Sequence, residues 1–373
     1  MNLPMVPTLP MAPSQGSAAL SEAEIAELHE EVRALAAERH AVILAHNYQV
    51  PEVQDVADYV GDSLGLSRKA AAADAEVIAF CGVHFMAETA SILCPQKTVL
   101  IPDLDAGCSL ADSIDFDQLA AWKANYPEGV VVMYVNTTAE VKALTDYCCT
   151  SANAVDVVRH IYDKHGPDTE ILFGPDMWLG AYVEKELGRR MHVWDGECHV
   201  HAGIRPADIE ATRAAHPGAD FLIHPECGCT TSVMEYVAAG DVSAEGVHML
   251  STGGMIKYAE HAEREAVEEA SQMRAGADGA AGAGDGADAG GASCPVRHEV
   301  VVATEIGMLY PLRMAAPDVD FIPANAEASC KYMKMITLPK LRDALRDMKF
   351  EVRVPEDIAK KARVPIDRMV ALG

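Results

Sequence analysis

Short runs of β-branched and aliphatic residues alternate along this chain with stretches of helical periodicity. Val42–Ala45, Val77–Phe80 and Val99–Ile101 read as strands, as do Val130–Met133, Ile171–Phe173 and Met191–Trp194. Phe221–Ile223, Val300–Ala303 and Val319–Ile322 complete the set. Helical patterns fall between them. One opens at Ser21, where Ser21 and Glu24 have capping-box spacing, and others run about His84–Leu93 and Met177–Leu187. Such alternation predicts an α/β protein with parallel sheets and crossover helices.

The pattern repeats three times. The first strand of each unit runs into polar residues: His46-Asn47-Tyr48, Tyr134-Val135-Asn136 and His224-Pro225-Glu226. A hydroxyl then precedes a helix, as Ser63, Ser151 or Thr252, and each unit leads on to a cysteine, Cys108, Cys198 or Cys330. His46 to Ser63 and Tyr134 to Ser151 are both 17 residues, and the steps to Cys108 and Cys198 are 62 and 64. The third unit is longer because it carries a loop before Thr252 and an Ala/Gly/Asp segment at about 275–293, which reads as a solvated insertion. The expected domains are a disordered tail over 1–20 and repeat units over 21–107, 108–197 and 198–337, with C-terminal helices in 338–373 returning to the first unit.

Composition narrows the function classes. The chain has 373 residues, half of them hydrophobic, so it can bury a sizeable core. With 30 basic and 56 acidic residues the net charge is −26, which argues against nucleic-acid binding. Anionic small molecules would need locally aimed donors. No apolar run is long enough to span a bilayer. The first twenty residues hold four prolines and no Lys or Arg, unlike a secretory leader. Ten cysteines without an export signal point to a reducing, cytoplasmic setting and to thiols rather than disulfides.

In parallel α/β sheets, loops after the carboxyl ends of strands carry the ligand-binding residues. Three units around a pseudo-threefold axis would bring Cys108, Cys198 and Cys330 to one end of a central cavity. Three thiolates suit zinc or an iron–sulfur cluster with one iron free of protein ligands, and residue types alone do not choose between them. The hydroxyls Ser63, Ser151 and Thr252, placed as helix N-caps, would bind carboxylates or phosphate. Glu226, with a pKa raised by burial, and His224 are candidate bases, and Tyr48 and Tyr134 candidate proton relays. An iron–sulfur hydro-lyase, a redox-sensing cluster protein and a zinc-bound scaffold all remain open on this reading.

Several runs carry a family resemblance. Ile43-Leu44-Ala45-His46-Asn47-Tyr48-Gln49, Gly61-Asp62-Ser63-Leu64, Tyr134-Val135-Asn136-Thr137 and His224-Pro225-Glu226-Cys227 resemble the quinolinate synthase family, the A proteins of bacterial NAD biosynthesis. So do Ser251-Thr252, Thr304-Glu305-Ile306-Gly307 and Cys330-Lys331-Tyr332-Met333-Lys334, and the likeness extends from about Ser21 to Met369. The resemblance implies three αβα sandwich domains with small parallel sheets about a pseudo-threefold axis. It implies a [4Fe–4S] cluster on Cys108, Cys198 and Cys330, with Cys294 a rival for the third position. It also implies condensation of iminoaspartate with dihydroxyacetone phosphate to quinolinate, phosphate and two waters. Substrate binding carries over to His46, Ser63, Tyr134, Val135, Asn136, Ser151, His224, Pro225, Glu226 and Thr252, and acid–base steps to Tyr48, His224 and Glu226. The oxidase that makes iminoaspartate is the candidate partner.

Overall fold

The computed structural model describes residues 20–239, 246–280 and 298–372. It contains three four-stranded sheets, all parallel. The first is built from β1 (Ala41–His46), β2 (Tyr59–Gly61), β3 (Val77–Cys81) and β4 (Thr98–Leu100). The second has β5 (Val130–Tyr134), β6 (Tyr147–Cys149), β7 (Ile171–Gly174) and β8 (His192–Val193). The third has β9 (Asp220–Ile223), β10 (Val247–Met249), β11 (Glu299–Ala303) and β12 (Asp320–Pro323). Each sheet places its second strand outside its first, in the orders β2-β1-β3-β4, β6-β5-β7-β8 and β10-β9-β11-β12. The fold is therefore α/β with three αβα layers, and the repeat seen in the sequence is a repeat of topology.

The inner strands are apolar except at their ends, where His46, Asp220 and Glu299 stand, because helices cover both faces of a parallel sheet. β3 is buried at every position and β1 at all but the first. The outer strands β2, β6 and β10 are three residues each and fall where the sequence pattern predicts only helix and loop. In the first two units an acidic residue just ahead of the outer strand ties it to its neighbour. The Asp58 carboxylate accepts the Ile43 N–H at 2.8 Å, and Asp146 accepts that of Val131 at 2.9 Å.

The capping box forms as read: Ser21 Oγ accepts the Glu24 N–H, and Glu24 Oε2 accepts the Ser21 N–H at 2.8 Å. Helices His84–Leu93 and Met177–Leu187 also match. The helix from Thr252 continues to Ala280, past the Ala275 at which the sequence places a loop. Alanine is the best helix former, so an Ala-rich start to that segment extends the helix. The rest of the Ala/Gly/Asp stretch, the N-terminal tail up to residue 19 and Cys294 lie outside the described residues.

The C-terminal helices divide their contacts. Leu338–Asp347 packs on the first helix, Glu22–Glu38, and the Val352 N–H donates to the Val99 carbonyl at 2.8 Å beside β4. Glu356–Ala371 instead lies between the first two units, against His84–Leu93, Ala139–Lys142 and β6. Asn153 Nδ2 holds its end by donating to the carbonyls of Met369 at 3.0 Å and Leu372 at 2.6 Å. Among the described residues no helix is long and apolar enough to cross a membrane.

The wedge position of the last helix makes Ile366, which is fully buried, a joint for two units. Ile366→Ala should cost about 3 kcal/mol through the cavity it leaves. The urea unfolding midpoint should fall accordingly; an unchanged midpoint would mean that this helix does not stabilise the junction.

Candidate active site

The carboxyl ends of β1, β5 and β9 open onto one cavity. This is where the strand order reverses in each sheet, the position at which such folds bind ligands. His46 and Tyr48 enter from the first unit, Tyr134 and Asn136 from the second, and His224 and Glu226 from the third. Ser63, Ser151 and Thr252 line the same wall, as do Cys108, Cys198 and Cys330. Two expected contacts are not in the lining. Val135 is buried behind it, with its N–H on the Cys149 carbonyl at 2.8 Å, and Pro225 is buried between two lining residues.

One backbone contact recurs around all three cysteines. The helical segment after the third strand of each unit begins with an N–H that donates to the carbonyl two residues before the cysteine. These are His84 to Ala106 at 2.7 Å, Met177 to Gly196 at 2.8 Å and Ile306 to Ala328 at 2.9 Å. A turn of helix follows each cysteine: Ala111–Ser113 after Cys108, His199–Ala202 after Cys198 and Met333–Met335 after Cys330. Burial and the neighbouring cysteines raise the Cys108 pKa, while the N–H groups of Ala111 and Leu110 aimed at the sulfur lower it. Cys330 is pushed up to about 11 by burial, against N–H groups from Met333 and Tyr332. The main-chain donors offset part of the burial that disfavours a thiolate at these sulfurs. Cys198, His201 and Glu226 also bring donor atoms within 4.8 Å of one another, so this corner can hold a metal ion. Cys81, Cys94, Cys148 and Cys149 are buried and none lines the cavity. Cys227 and Cys229 are joined as a disulfide, where the sequence reading favours thiols.

The hydroxyl residues do not act as helix caps. Asp62 caps the helix that begins at Ser63, accepting the Gly65 N–H at 2.7 Å. Ser251 Oγ accepts the Gly254 N–H at 3.2 Å in front of Thr252, and Asn153 occupies the cap position after Ser151. The polar neighbour takes the capping position, and the predicted hydroxyl faces the cavity.

Two histidines share a geometry. The Tyr48 N–H points at His46 Nδ1 at 3.2 Å, and the Glu226 N–H at His224 Nδ1 at 3.4 Å. A donor aimed at Nδ1 requires a lone pair there and leaves the proton on Nε2. Burial favours the same neutral form, lowering His46 to about 3 and His224 to about 4. His224 Nε2 then donates to Ser151 Oγ at 3.1 Å.

His201 behaves oppositely. Its Nδ1 is 3.1 Å from Glu226 Oε2, and its Nε2 is 3.0 Å from Thr304 Oγ1 and 3.3 Å from the Tyr48 hydroxyl. Burial alone would lower its pKa, but Tyr48, Cys198 and Glu226 outweigh that and hold it well above the usual value. Burial likewise pushes Glu226 up, yet the neighbouring His224, His201 and Tyr134 hold it well below the carboxylate range. This corrects the expected raised pKa. Because His224 is neutral above about pH 4, the cation balancing Glu226 at neutrality is His201.

The sequence reading selects none of His201, Thr304, Glu305 and Asp62 as site residues. His201 stands three residues after Cys198, where the other units have Ala111 and Met333, so the repeat gives no signal there. Glu305 Oε1 accepts the Cys330 N–H at 2.9 Å, and Asp176 stands at the matching place in the second unit, where its carboxylate accepts the Leu179 N–H at 2.7 Å. The first unit has Val83 there. The signal in this case was the acid two residues beyond the third strand.

Residues 30–272 and 291–371 match the family described as Quinolinate synthetase A protein. A quinolinate synthase of Thermus thermophilus is 51% identical over 346 residues, covering 93% of this chain and 97% of that protein. The chain belongs to the quinolinate synthetase A family. Quinolinate synthases of Mycobacterium tuberculosis and a second Mycobacterium species are each 52% identical over 344 residues, covering 92% of the chain and 88% and 91% of those proteins. As a member of this family the chain is an enzyme. The gap between the two matched stretches lies within the helix end and Ala/Gly/Asp segment of the third unit.

The two neutral rings give the fold an acid sensitivity. Unfolded histidine binds a proton below about pH 6.5, whereas His46 and His224 bind theirs only near 3 and 4, so stability falls as pH drops through this interval. Between about pH 6.5 and 4.5 an unfolded carboxylate is already ionised, so the lowered Glu226 adds no slope there. The raised His201 adds none either, because its proton is held in both states below about pH 6.5. At about pH 5 each neutral ring should have lost about 2 kcal/mol of stability relative to neutral pH. Urea unfolding of the double variant His46→Gln/His224→Gln should show most of the slope removed. A slope as steep as the parent's would assign it to other groups.

Proposed function

We propose that this enzyme condenses iminoaspartate with dihydroxyacetone phosphate to quinolinate, phosphate and two waters in NAD biosynthesis, using a [4Fe–4S] cluster held by Cys108, Cys198 and Cys330. The observation that carries the reading is the recurring backbone tie, which brings one free cysteine from each unit to one cavity. The donor set fits the group, because three soft sulfurs receive main-chain N–H bonds or stand at helical turns. When bound, such a cluster supplies a Lewis acid at the iron that has no protein ligand.

The remaining chemistry falls to side chains of the cavity. The helices starting at Ser63 and Thr252, with the Ser151 hydroxyl, seat carboxylates and the phosphate using N–H and O–H donors. Asn136 and Tyr134 orient the bound acid from the second unit. Glu226, ionised and facing the cavity, takes the proton from carbon beside the imine or carbonyl. His201 carries a proton beside it and exchanges through Nε2 with Tyr48 and Thr304, a path bounded by hydrogen bonds of 3.0 and 3.3 Å. His224 stays neutral and donates from Nε2. Enclosure between three units keeps water from the imine, which hydrolyses readily. An oxidase producing that imine is the partner the reaction calls for, and a reducing cytoplasm suits the free thiols.

Anaerobic purification followed by iron and sulfide analysis tests this directly. The parent chain should hold both with a broad visible absorption, and Cys108→Ala, Cys198→Ala or Cys330→Ala should each lose them, whereas Cys94→Ala should not. Retention in all three cavity variants would overturn the ligand assignment. Glu226→Gln should keep iron and sulfide while lowering quinolinate formation by about 10³-fold, in the usual range for a lost general base. Full activity would remove Glu226 from catalysis.

A further inference from the structure

The cavity wall gathers three cysteines, Asp62, Glu226 and Glu305, yet no Lys or Arg among the described residues lines it. For a reaction between a dicarboxylate and a phosphate ester in a chain of net charge −26, that is a deficit of positive charge. Two ammonium groups lie one layer behind the wall. Each donates to the carbonyl of a strand-end loop: Lys334 to Tyr48 and Lys142 to Thr137. Lys334 is neutralised locally by Glu305 at 2.9 Å.

Lys142 is different. It is wholly buried, and its hydrogen bond goes to a carbonyl rather than to a carboxylate. Its Nζ stands 5.4 Å from the centre of the Phe85 ring, and Phe85 lines the cavity. Burial lowers its pKa, while Cys148, Glu88 and Cys108 act the other way; Glu88 is already engaged by the Ala139 N–H at 3.1 Å and by His84 at 3.7 Å. A buried ammonium is costly, and an apolar side chain would fill the space more cheaply. What offsets the cost must be negative charge nearby, and the cavity is where that charge collects.

We propose that Lys142 is a positioning residue for anions: from behind Phe85 and Cys108 it supplies positive potential to the cavity, and through the Thr137 carbonyl it fixes the loop presenting Asn136. This deepens the proposed function and rests on its anionic substrates. The ammonium acts across a ring and needs no contact with the bound molecule. Water-poor surroundings make a single charge effective at that range.

The test uses phthalate, an inert aromatic dianion, as the probe, with binding measured by calorimetry on the full chain. Lys142→Met keeps side-chain volume and removes charge. It is made in a Glu88→Gln background so that no buried carboxylate is left unmatched, and Glu88→Gln alone is the reference. The phthalate Kd should rise about tenfold, the order expected for one lost charge in a water-poor site. Its salt dependence should flatten, and Lys142→Arg should restore binding to within about threefold of the reference. Equal affinity in the Met and Arg variants would make the role one of packing and overturn the proposal, as would failure of the parent chain to bind phthalate. Iron is assayed on the same samples. A chain without iron that still loses phthalate affinity on Lys142→Met would sink the cluster assignment and leave Lys142 standing.

Discussion

The carbonyls of Ala106, Gly196 and Ala328 decide where the three cavity cysteines stand. Each accepts an N–H from the start of a helical segment, a group that has no partner within its own helix. One unsatisfied donor is thereby used to fix a long loop at a set distance from the end of the third strand. Without that tie, three loops from three separate sheets would each choose their own course. With it, sulfurs from residues 108, 198 and 330 reach one cavity. Glu305 adds a second tie, to the cysteine N–H itself, in the third unit, and Asp176 stands at the matching place in the second. The first unit has Val83 in that place, so the symmetry is of backbone more than of side chain.

Electrostatically, the cavity divides three imidazoles and a carboxylate into three charge states. His46 and His224 receive backbone N–H groups at Nδ1 and stay neutral. His201 faces a carboxylate instead and is a cation. Glu226 lies between them as an anion, its Oε2 3.1 Å from His201 Nδ1. Stacking of His201 on His224, with centroids 4.8 Å apart, also disfavours charge on the second ring once the first is protonated.

Inner strands, helices and the cysteine positions were legible in the sequence because they are periodic and recur. β2, β6 and β10 were not. Each is three residues long, β2 is mostly exposed, and what makes them strands is pairing to a neighbour set apart from them by a helix. Repetition also guided the choice of His46 and His224 and failed for His201, whose equivalents are Ala111 and Met333. Burial of Glu226 was foreseeable; the sign of its pKa shift was not, because the deciding imidazole lies in a separate loop 25 residues earlier in the chain. Ser63, Ser151 and Thr252 do face the cavity, but the expected capping does not fall to them, since Asp62 and Ser251 cap in place of Ser63 and Thr252.

The helix Glu356–Ala371 fills the seam between the first and second units, and Asn153, beside the Ser151 turn, holds its closing carbonyls. That helix also packs on His84–Leu93 of the first unit, so the Ser151 turn of the second unit and a helix of the first share one splint. Hinging the two units apart at this seam would have to break both Asn153 bonds.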